Sequence, residues 1–202
     1  MKAQIIIFDG FDELDAVAPY EVLKNAAAAG ADIQVEMVTV DGAEEVTAAH
    51  GLRVRPDARL SLEEELDVLI VPGGNWVNRA PQGTRAEVQR GEIPKAISRL
   101  HQSGTLVAGV CTGAMLIAAA GLLAGRSAVT HHQVIEDLRG AGAEIVQARV
   151  VDDGDVITAG GVTSGLDLAL WLVERYAGAH IAQQIEKRIE YQRRGTVWRR
   201  PE

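Results

Sequence analysis

The sequence predicts an α/β protein: a doubly wound, mostly parallel sheet sandwiched between helices. Three observations carry that expectation. Strand-like and helix-like segments alternate along the chain, the pattern of a parallel sheet covered on both faces. Three of the strand-like segments, QIIIF at 4–8, DVLIVP at 67–72 and LVAGV at 106–110, are nearly unbroken apolar runs, as buried strands are. With 202 residues, 47% of them hydrophobic, the chain can bury a substantial core as one domain over residues 1–202. No repeat, linker or low-complexity stretch marks a boundary.

Taken in order, QIIIF reads as a strand ended by Asp9 and Gly10. Residues 13–29 are helical by period, with Leu14, Val17, Val22 and Leu23 spaced for one face. Pro19 should kink or start that helix, and Gly30 marks its end. Residues 33–40 alternate as a strand, 46–55 predict a short β excursion, and 57–66 a short turn of helix. DVLIVP delivers a strand straight into Gly73 and Gly74. Residues 84–89 and 93–103 read as helix, interrupted by Gly91 and Pro94. A strand at 127–130 leads to His131 and His132, followed by a helix to about Gly140. Residues 144–151 and 156–159 read as two strands of a hairpin. In GGVTSGLDLALWLVERY, Ser164 and Asp167 have capping-box spacing at a helix start. A last amphipathic helix covers 180–191, and the tail 192–202 is expected to be irregular.

Chemistry concentrates at 106–121, LVAGVCTGAMLIAAAG. A β-branched run reaches the single cysteine, Cys111, and an Ala/Met/Leu/Ile stretch of helical character follows at once. That is a strand, a sharp turn and a helix with a thiol at the corner. The first helical N–H groups, those of Thr112 and Gly113, favour an anion there and lower a thiol's pKa by about 1 unit or more. The geometry resembles the G-x-S-x-G nucleophile elbow with sulfur in place of oxygen. The same cysteine also reads as a small buried hydrophobe.

In a doubly wound sheet, functional groups gather beyond the carboxyl ends of the strands. Asp15, the pair Gly73 and Gly74, Cys111 and His131 all fall at such ends. The glycines are either a plain turn or a source of N–H groups for developing negative charge. Asp15 is either a dipole partner on a solvated helix start or, aimed at the thiol, a general acid/base with a raised pKa and a shared proton. Asp12 and Glu21 read as surface residues. His131, twenty residues past the cysteine, is either a Cys–His partner or a hydrogen-bonded structural histidine, with His132 pointing elsewhere. Trp76 and Val162 are candidates for the pocket wall.

Twenty-eight acidic against twenty basic residues give a net charge of −8, which argues against a nucleic-acid partner. Arg193, Arg194, Arg199 and Arg200 form a basic tail expected to lie against the molecule's own acidic surface, of which residues 63–65 are one piece. One cysteine leaves no internal disulfide. No charged-then-apolar leader and no apolar run of the ~18 residues needed to span a bilayer are found, so no membrane partner is expected, and the compartment is a reducing, cytoplasmic one.

VPGG at 71–74, GVCTGAMLIAAAGLLAGRSAVTHH at 109–132 and GGVTSGLDLAL at 160–170 together resemble the ThiJ/PfpI superfamily, which has the class I glutamine-amidotransferase-like fold. Within it the isonitrile hydratase branch is most similar. Its C-T-G turn, its A-G-L-L-x-G-R segment followed by T-H, and its L-D-x-x-x-P-x-x-V-L motif match Cys111-Thr112-Gly113, residues 120–126 with Thr130-His131, and residues 14–23. The resemblance implies a flavodoxin-like sandwich, a homodimer with its site near the subunit interface, a small-molecule substrate and no metal or organic cofactor. It makes Cys111 the nucleophile, Asp15 the acid/base and Thr112 the support. Backbone N–H groups around Gly73, Gly74, Thr112 and Gly113 would bind the developing anion, and the reaction would hydrate an isocyanide to an N-substituted formamide through a thioimidate.

Two features depart from that branch or its relatives. QRRGTVWRRPE follows Glu190-Tyr191 where the branch carries a proline-rich segment, and Thr112 replaces the histidine of the PfpI peptidases, which removes a Cys-His protease reading. Two other classes stay open. One is a glutathione-independent glyoxalase or deglycase, whose members usually carry glutamate at the position of Asp15 and a histidine matching His131. The other is a non-catalytic sensor or regulatory domain in which Cys111 is an oxidisable thiol.

Overall fold

A computed structural model of the protein describes residues 1–201. The strands in chain order are β1 (Lys2–Ile6), β2 (Gln34–Thr39), β3 (Val46–Thr47), β4 (Arg53–Val54), β5 (Ala58–Arg59) and β6 (Val68–Val71). They continue with β7 (Leu106–Val110), β8 (Ser127–Ala128), β9 (Glu144–Ile145), β10 (Val150–Asp152), β11 (Val156–Ala159) and β12 (Trp198–Arg199). Eight of them form one sheet in the order β12-β10-β11-β7-β6-β1-β2-β5, parallel throughout except at the β10–β11 hairpin. From β1 the chain winds outward to β2 and β5, then returns to β6 and winds the other way, so the strand order reverses between β1 and β6. A crevice outside the carboxyl ends of the strands opens at such a reversal.

Helices cover both faces. On one, α1 (Glu13–Ala28), α6 (Ser164–Ala177) and α7 (Ala179–Arg188) pack together. On the other lie α2 (Thr84–Arg90), α3 (Glu92–Gln102) and α4 (Gly113–Ala119), with the short α5 (Ile135–Gly140) against α4. One contiguous core runs between the layers, its largest wholly buried side chains including Ile5, Ile6, Leu69, Ile70, Leu116 and Ile117. The fold is a flavodoxin-like, mostly parallel α/β sandwich. Among the described residues no helix is long and apolar enough to cross a membrane.

Several local expectations are corrected. Helix α1 runs unbroken through Pro19, and its expected face holds only in its second half: Val22 and Leu23 are buried, whereas Leu14 and Val17 are exposed and Asp15, Ala16, Ala18 and Pro19 are buried in their place. Small side chains cause this, because the Pro19 ring lies against Gly165 of α6, where a Cβ would be 3.5 Å from the ring. The surface that packs is set by close approach of two helices rather than by the largest apolar groups.

The segment at 57–66 forms no helical turn. Its start is edge strand β5, drawn onto β2 by the Asp57 N–H to the Met37 carbonyl (2.8 Å) and the Leu60 N–H to the Thr39 carbonyl (2.9 Å). The expected strand at 127–130 is only β8, which pairs with β9 outside the main sheet, so His131 does not follow a strand of that sheet. Ser164 and Asp167 make no capping box; Thr163 occupies the cap and Asp167 turns inward. The tail is not wholly irregular, since β12 pairs with β10. Its arginines do meet acidic groups, Arg193 with Glu174 (2.5 Å) and Glu186 (2.9 Å) and Arg200 with Asp153 (3.8 Å), but not residues 63–65.

Candidate active site

The crevice between β1 and β6 collects the carboxyl ends of β1, β6 and β7. Strand β7 ends at Val110, and Cys111 takes φ +56°, a left-handed conformation sparsely populated by residues with a Cβ. Its surroundings hold it there. The Cys111 N–H donates to the carbonyls of Ala159 (3.1 Å) and Gly160 (3.0 Å), and its carbonyl accepts from Thr130 Oγ1 (2.9 Å). Helix α4 starts two residues on, pressed so closely on β6 that a Cβ at Gly113 would lie 2.0 Å from the Val71 carbonyl oxygen.

Gly73 faces this corner from the end of β6, and a Cβ there would fall 2.3 Å from Thr112 Oγ1. That closeness lets the turn reach Asp15, the third residue of α1. The Gly73 N–H donates to Asp15 Oδ2 at 2.9 Å, and the Gly74 N–H donates to Thr112 Oγ1 at 2.9 Å. Thr112 Oγ1 also lies 3.2 Å from Thr84 Oγ1. Thr112 Oγ1 therefore links the Gly74 turn to the start of α2. The anion-binding role expected of Gly73 and Gly74 is corrected, because both amides are engaged by side chains of the protein itself.

Asp15 is wholly buried, and its Oδ1 is the one buried side-chain polar atom without a hydrogen-bond partner among the described residues. Burial raises its pKa well above the usual aspartate value, helped by the negative charge of Asp12 and opposed by the Gly73 N–H and the neighbouring Cys111 thiol. The thiol acts on Asp15 as a hydrogen-bonding neighbour, but the contact falls short of a regular bond to Oδ1.

Cys111 itself is 6% exposed. The expected lowering of its pKa is overturned: burial first, then the Asp15 charge, push the thiol well above its ordinary value. The N–H groups of Val162 and Thr112 act in the opposite direction but are outweighed. Dehydration by three packed layers is a stronger influence than the two amides at the start of a seven-residue helix. A proton consequently stays with the pair rather than leaving a free thiolate.

The remaining residues surround a cleft of about 380 Å³ that Cys111 lines together with Thr112, Gly74, Trp76, His131 and Val162. Val162 contributes more than a wall, since its N–H approaches the sulfur and its φ of +37° is strained. Trp76 donates from Nε1 to Asp137 Oδ2 (2.6 Å), with the Arg85 guanidinium 4.4 Å over its ring. His131 makes no bond to Cys111. Its Nδ1 accepts the Gln133 N–H (3.3 Å), its ring lies 4.3 Å from that of His132, and burial keeps its pKa low. It is a capping histidine at the cleft wall, not a Cys–His partner.

Asp12, expected at the surface, lines the cleft, as do His50, Asn75 and Asn78, to which the sequence assigned no role. Asp12 is the N-cap of α1, accepting from the Leu14 N–H (3.2 Å). His50 Nδ1 lies 2.7 Å from Glu13 Oε2, clasping the β3–β4 hairpin onto the helix start. Only the Asp12 cap spacing offered a sequence signal; the hairpin is remote in the chain. Asp12, Glu13 and His50 present ligand-type atoms within 4.8 Å of one another, an arrangement the cap and the clasp explain without an ion.

Comparison with known proteins gives the same placement. The DJ-1/PfpI family model matches residues 1–175. An isonitrile hydratase of Pseudomonas putida is 35% identical over 192 residues, 95% of this chain and 78% of the relative. A deglycase of Thermococcus kodakarensis is 31% identical over 162 residues, 78% of this chain and 89% of its own length. The crystal structure of Drosophila melanogaster DJ-1beta superposes with a TM-score of 0.83 at 24% identity, covering 95% of this chain and 98% of that one. On its sequence match, the chain belongs to the DJ-1/PfpI family.

Proposed function

We propose that the protein is a cysteine-dependent hydratase that adds water to an isocyanide, giving an N-substituted formamide. The observation that carries this is Asp15 Oδ1, a buried and unpartnered carboxyl oxygen beside the one thiol of the chain. A buried polar atom left without a partner costs on the order of 1–3 kcal/mol, and sites that keep such a group use it. The Pseudomonas putida relative, named as an isonitrile hydratase, supports the same chemistry.

The steps follow from a proton held between two groups of raised pKa. With the pair's one proton on Asp15, the sulfur is an anion flanked by the Thr112 and Val162 N–H groups. That sulfur bonds to the terminal carbon of R–N≡C, and the protonated Asp15 delivers its proton to the same carbon, giving R–N=CH–S–Cys111. Asp15, ionised again, takes a proton from water as the oxygen bonds to that carbon and passes that same proton to the nitrogen. Collapse of R–NH–CH(OH)–S–Cys111 breaks the C–S bond, releases R–NH–CHO and returns one proton to the pair. The sum is isocyanide plus water to formamide.

We read the protein as a cytoplasmic homodimer and assign the exposed Leu14, Val17 and Leu52 to the face for a second copy, which light scattering tests. A second activity, glyoxalase or deglycase chemistry on 2-oxoaldehydes, is favoured by the deglycase relative and by the retained His131 in the cleft. Infrared loss of the isocyanide stretch decides between them when run beside lactate formation from methylglyoxal. The hydratase reading expects isocyanide turnover in the wild type, none in Cys111→Ala, and a loss of at least about a hundredfold in Asp15→Asn. Turnover that persists in Cys111→Ala removes it.

A further inference from the structure

A second cavity, of about 850 Å³, abuts the thiol cleft, with His131 and Val162 common to both linings. Its floor is apolar, built from Val129, Ile135 and Val162, and its outer wall is the C-terminal tail with Trp198. What sets it apart is charge. No aspartate or glutamate lines it among the described residues, although the chain carries 28 acidic against 20 basic side chains. The thiol cleft carries Asp12, a cavity beside α3 carries Asp9 and Asp41, and one beneath β6 carries residues 63–65.

Two arginines stand at this acid-free lining, and only one has its charge available. Arg149 is bound to buried Asp167, with Nε to Oδ2 at 2.8 Å, and reaches Thr163 Oγ1 and Tyr191. Arg194 is anchored differently. Its backbone N–H donates to Asp167 Oδ1 at 2.9 Å, while its guanidinium has no partner among the described residues. A guanidinium held by its main chain and left open at its head meets a carboxylate with two parallel N–H groups.

We propose that this cavity receives the substituent of the substrate and selects an organic anion, a carboxylate on a short aliphatic arm that Arg194 binds. The substrate assignment rests on the hydratase reading above; the anion site itself does not. The apolar floor takes the methylene arm, the smaller cleft takes the reacting carbon, and His131 and Val162 form the neck between them.

Calorimetric titration with hexanoate, hexanol and hexylamine tests the site without any turnover. Wild type is expected to bind hexanoate about tenfold more tightly than hexanol, with hexylamine weakest. Arg194→Gln, an exposed substitution, is expected to remove that preference while leaving hexanol binding unchanged, and Arg194→Lys to restore part of it. Turnover of ω-isocyanohexanoate against hexyl isocyanide should show the same preference in KM with kcat alike. Equal binding of acid and alcohol, no binding of either, or a preference that survives Arg194→Gln overturns the proposal. If hexanoate binds through Arg194 while isocyanides are untouched, the hydratase reading fails and the anion site stands.

Discussion

Two buried aspartates, each in the first turn of a helix on the same face of the sheet, have opposite fates. Asp167 in α6 is 3% exposed and fully engaged. Arg149 Nε (2.8 Å) and the Tyr191 hydroxyl (2.9 Å) donate to its Oδ2, and the Arg194 N–H (2.9 Å) donates to Oδ1. Asp15 in α1 is 0% exposed, has one N–H and no cation, and keeps an oxygen bare beside a thiol. Equal burial thus produces a structural carboxylate where partners are supplied and a proton carrier where they are withheld. The first ties the tail to the body; the second stores destabilisation at the reacting centre.

The largest expected difference is in turnover. Asp15→Asn should lose activity by about a hundredfold to ten-thousandfold, the usual range for removing a general acid/base. In wild type, the raised pKa of Asp15 places the loss of its proton at a pH above the ordinary carboxyl range. Activity that needs the protonated acid therefore persists to higher pH than an exposed aspartate would allow and falls as pH rises further. A rate profile whose limb sits at the ordinary aspartate value would break the contrast.

Next in size is stability at the other carboxylate. Asp167→Ala leaves Arg149, Tyr191 and the Arg194 N–H without their acceptor, at a cost of about 2–4 kcal/mol. A chain of this length should then lose about 4–16 °C in Tm. Turnover of a small neutral isocyanide per folded molecule should persist. A Tm unchanged in this variant would show that the Asp167 network is ornamental.

Asp15→Asn should act on stability in the opposite direction. The folded protein raises the pKa of Asp15, so its stabilising contribution is complete below the unfolded pKa and is lost as pH rises through the folded value. The variant, which has no charge to bury, should be more stable than wild type in mild alkali, and the gap should close in acid below the ordinary aspartate range. Thermal melts across pH measure it. Smallest is His131→Ala: the imidazole makes no bond to the thiol, so kcat should change by no more than about threefold, well under the general acid/base range.

How much of this was legible in the sequence depended on how local its cause is. The Cys111 corner was, because an apolar β-branched run, a glycine and an Ala/Leu/Ile run meet within sixteen residues. So was the alternation that sets the sheet. The burial of Asp15 was not, because the period of α1 groups Leu14 and Val17 with Val22 and Leu23 as the inner face, and the approach of Pro19 to Gly165, far along the chain, sets a different buried face over the first turns. The proton state of Cys111 was misjudged for the same reason. Two amides at a helix start are read locally, whereas the burial that outweighs them comes from elements the sequence does not place side by side. Asp167 looked like half of a capping box because spacing records separation, not the direction a side chain turns. The Val162 N–H at the sulfur, being backbone, leaves no mark in residue type at all.

The central claim, that a buried carboxyl keeps a proton beside the thiol, is tested most directly by infrared spectroscopy of the resting protein. At a pH where an ordinary aspartate is fully ionised, the protein should show a protonated carboxylic C=O band that is absent in Asp15→Asn and shifts in Cys111→Ser. No such band, with Asp15 titrating as an exposed aspartate does, would contradict the claim.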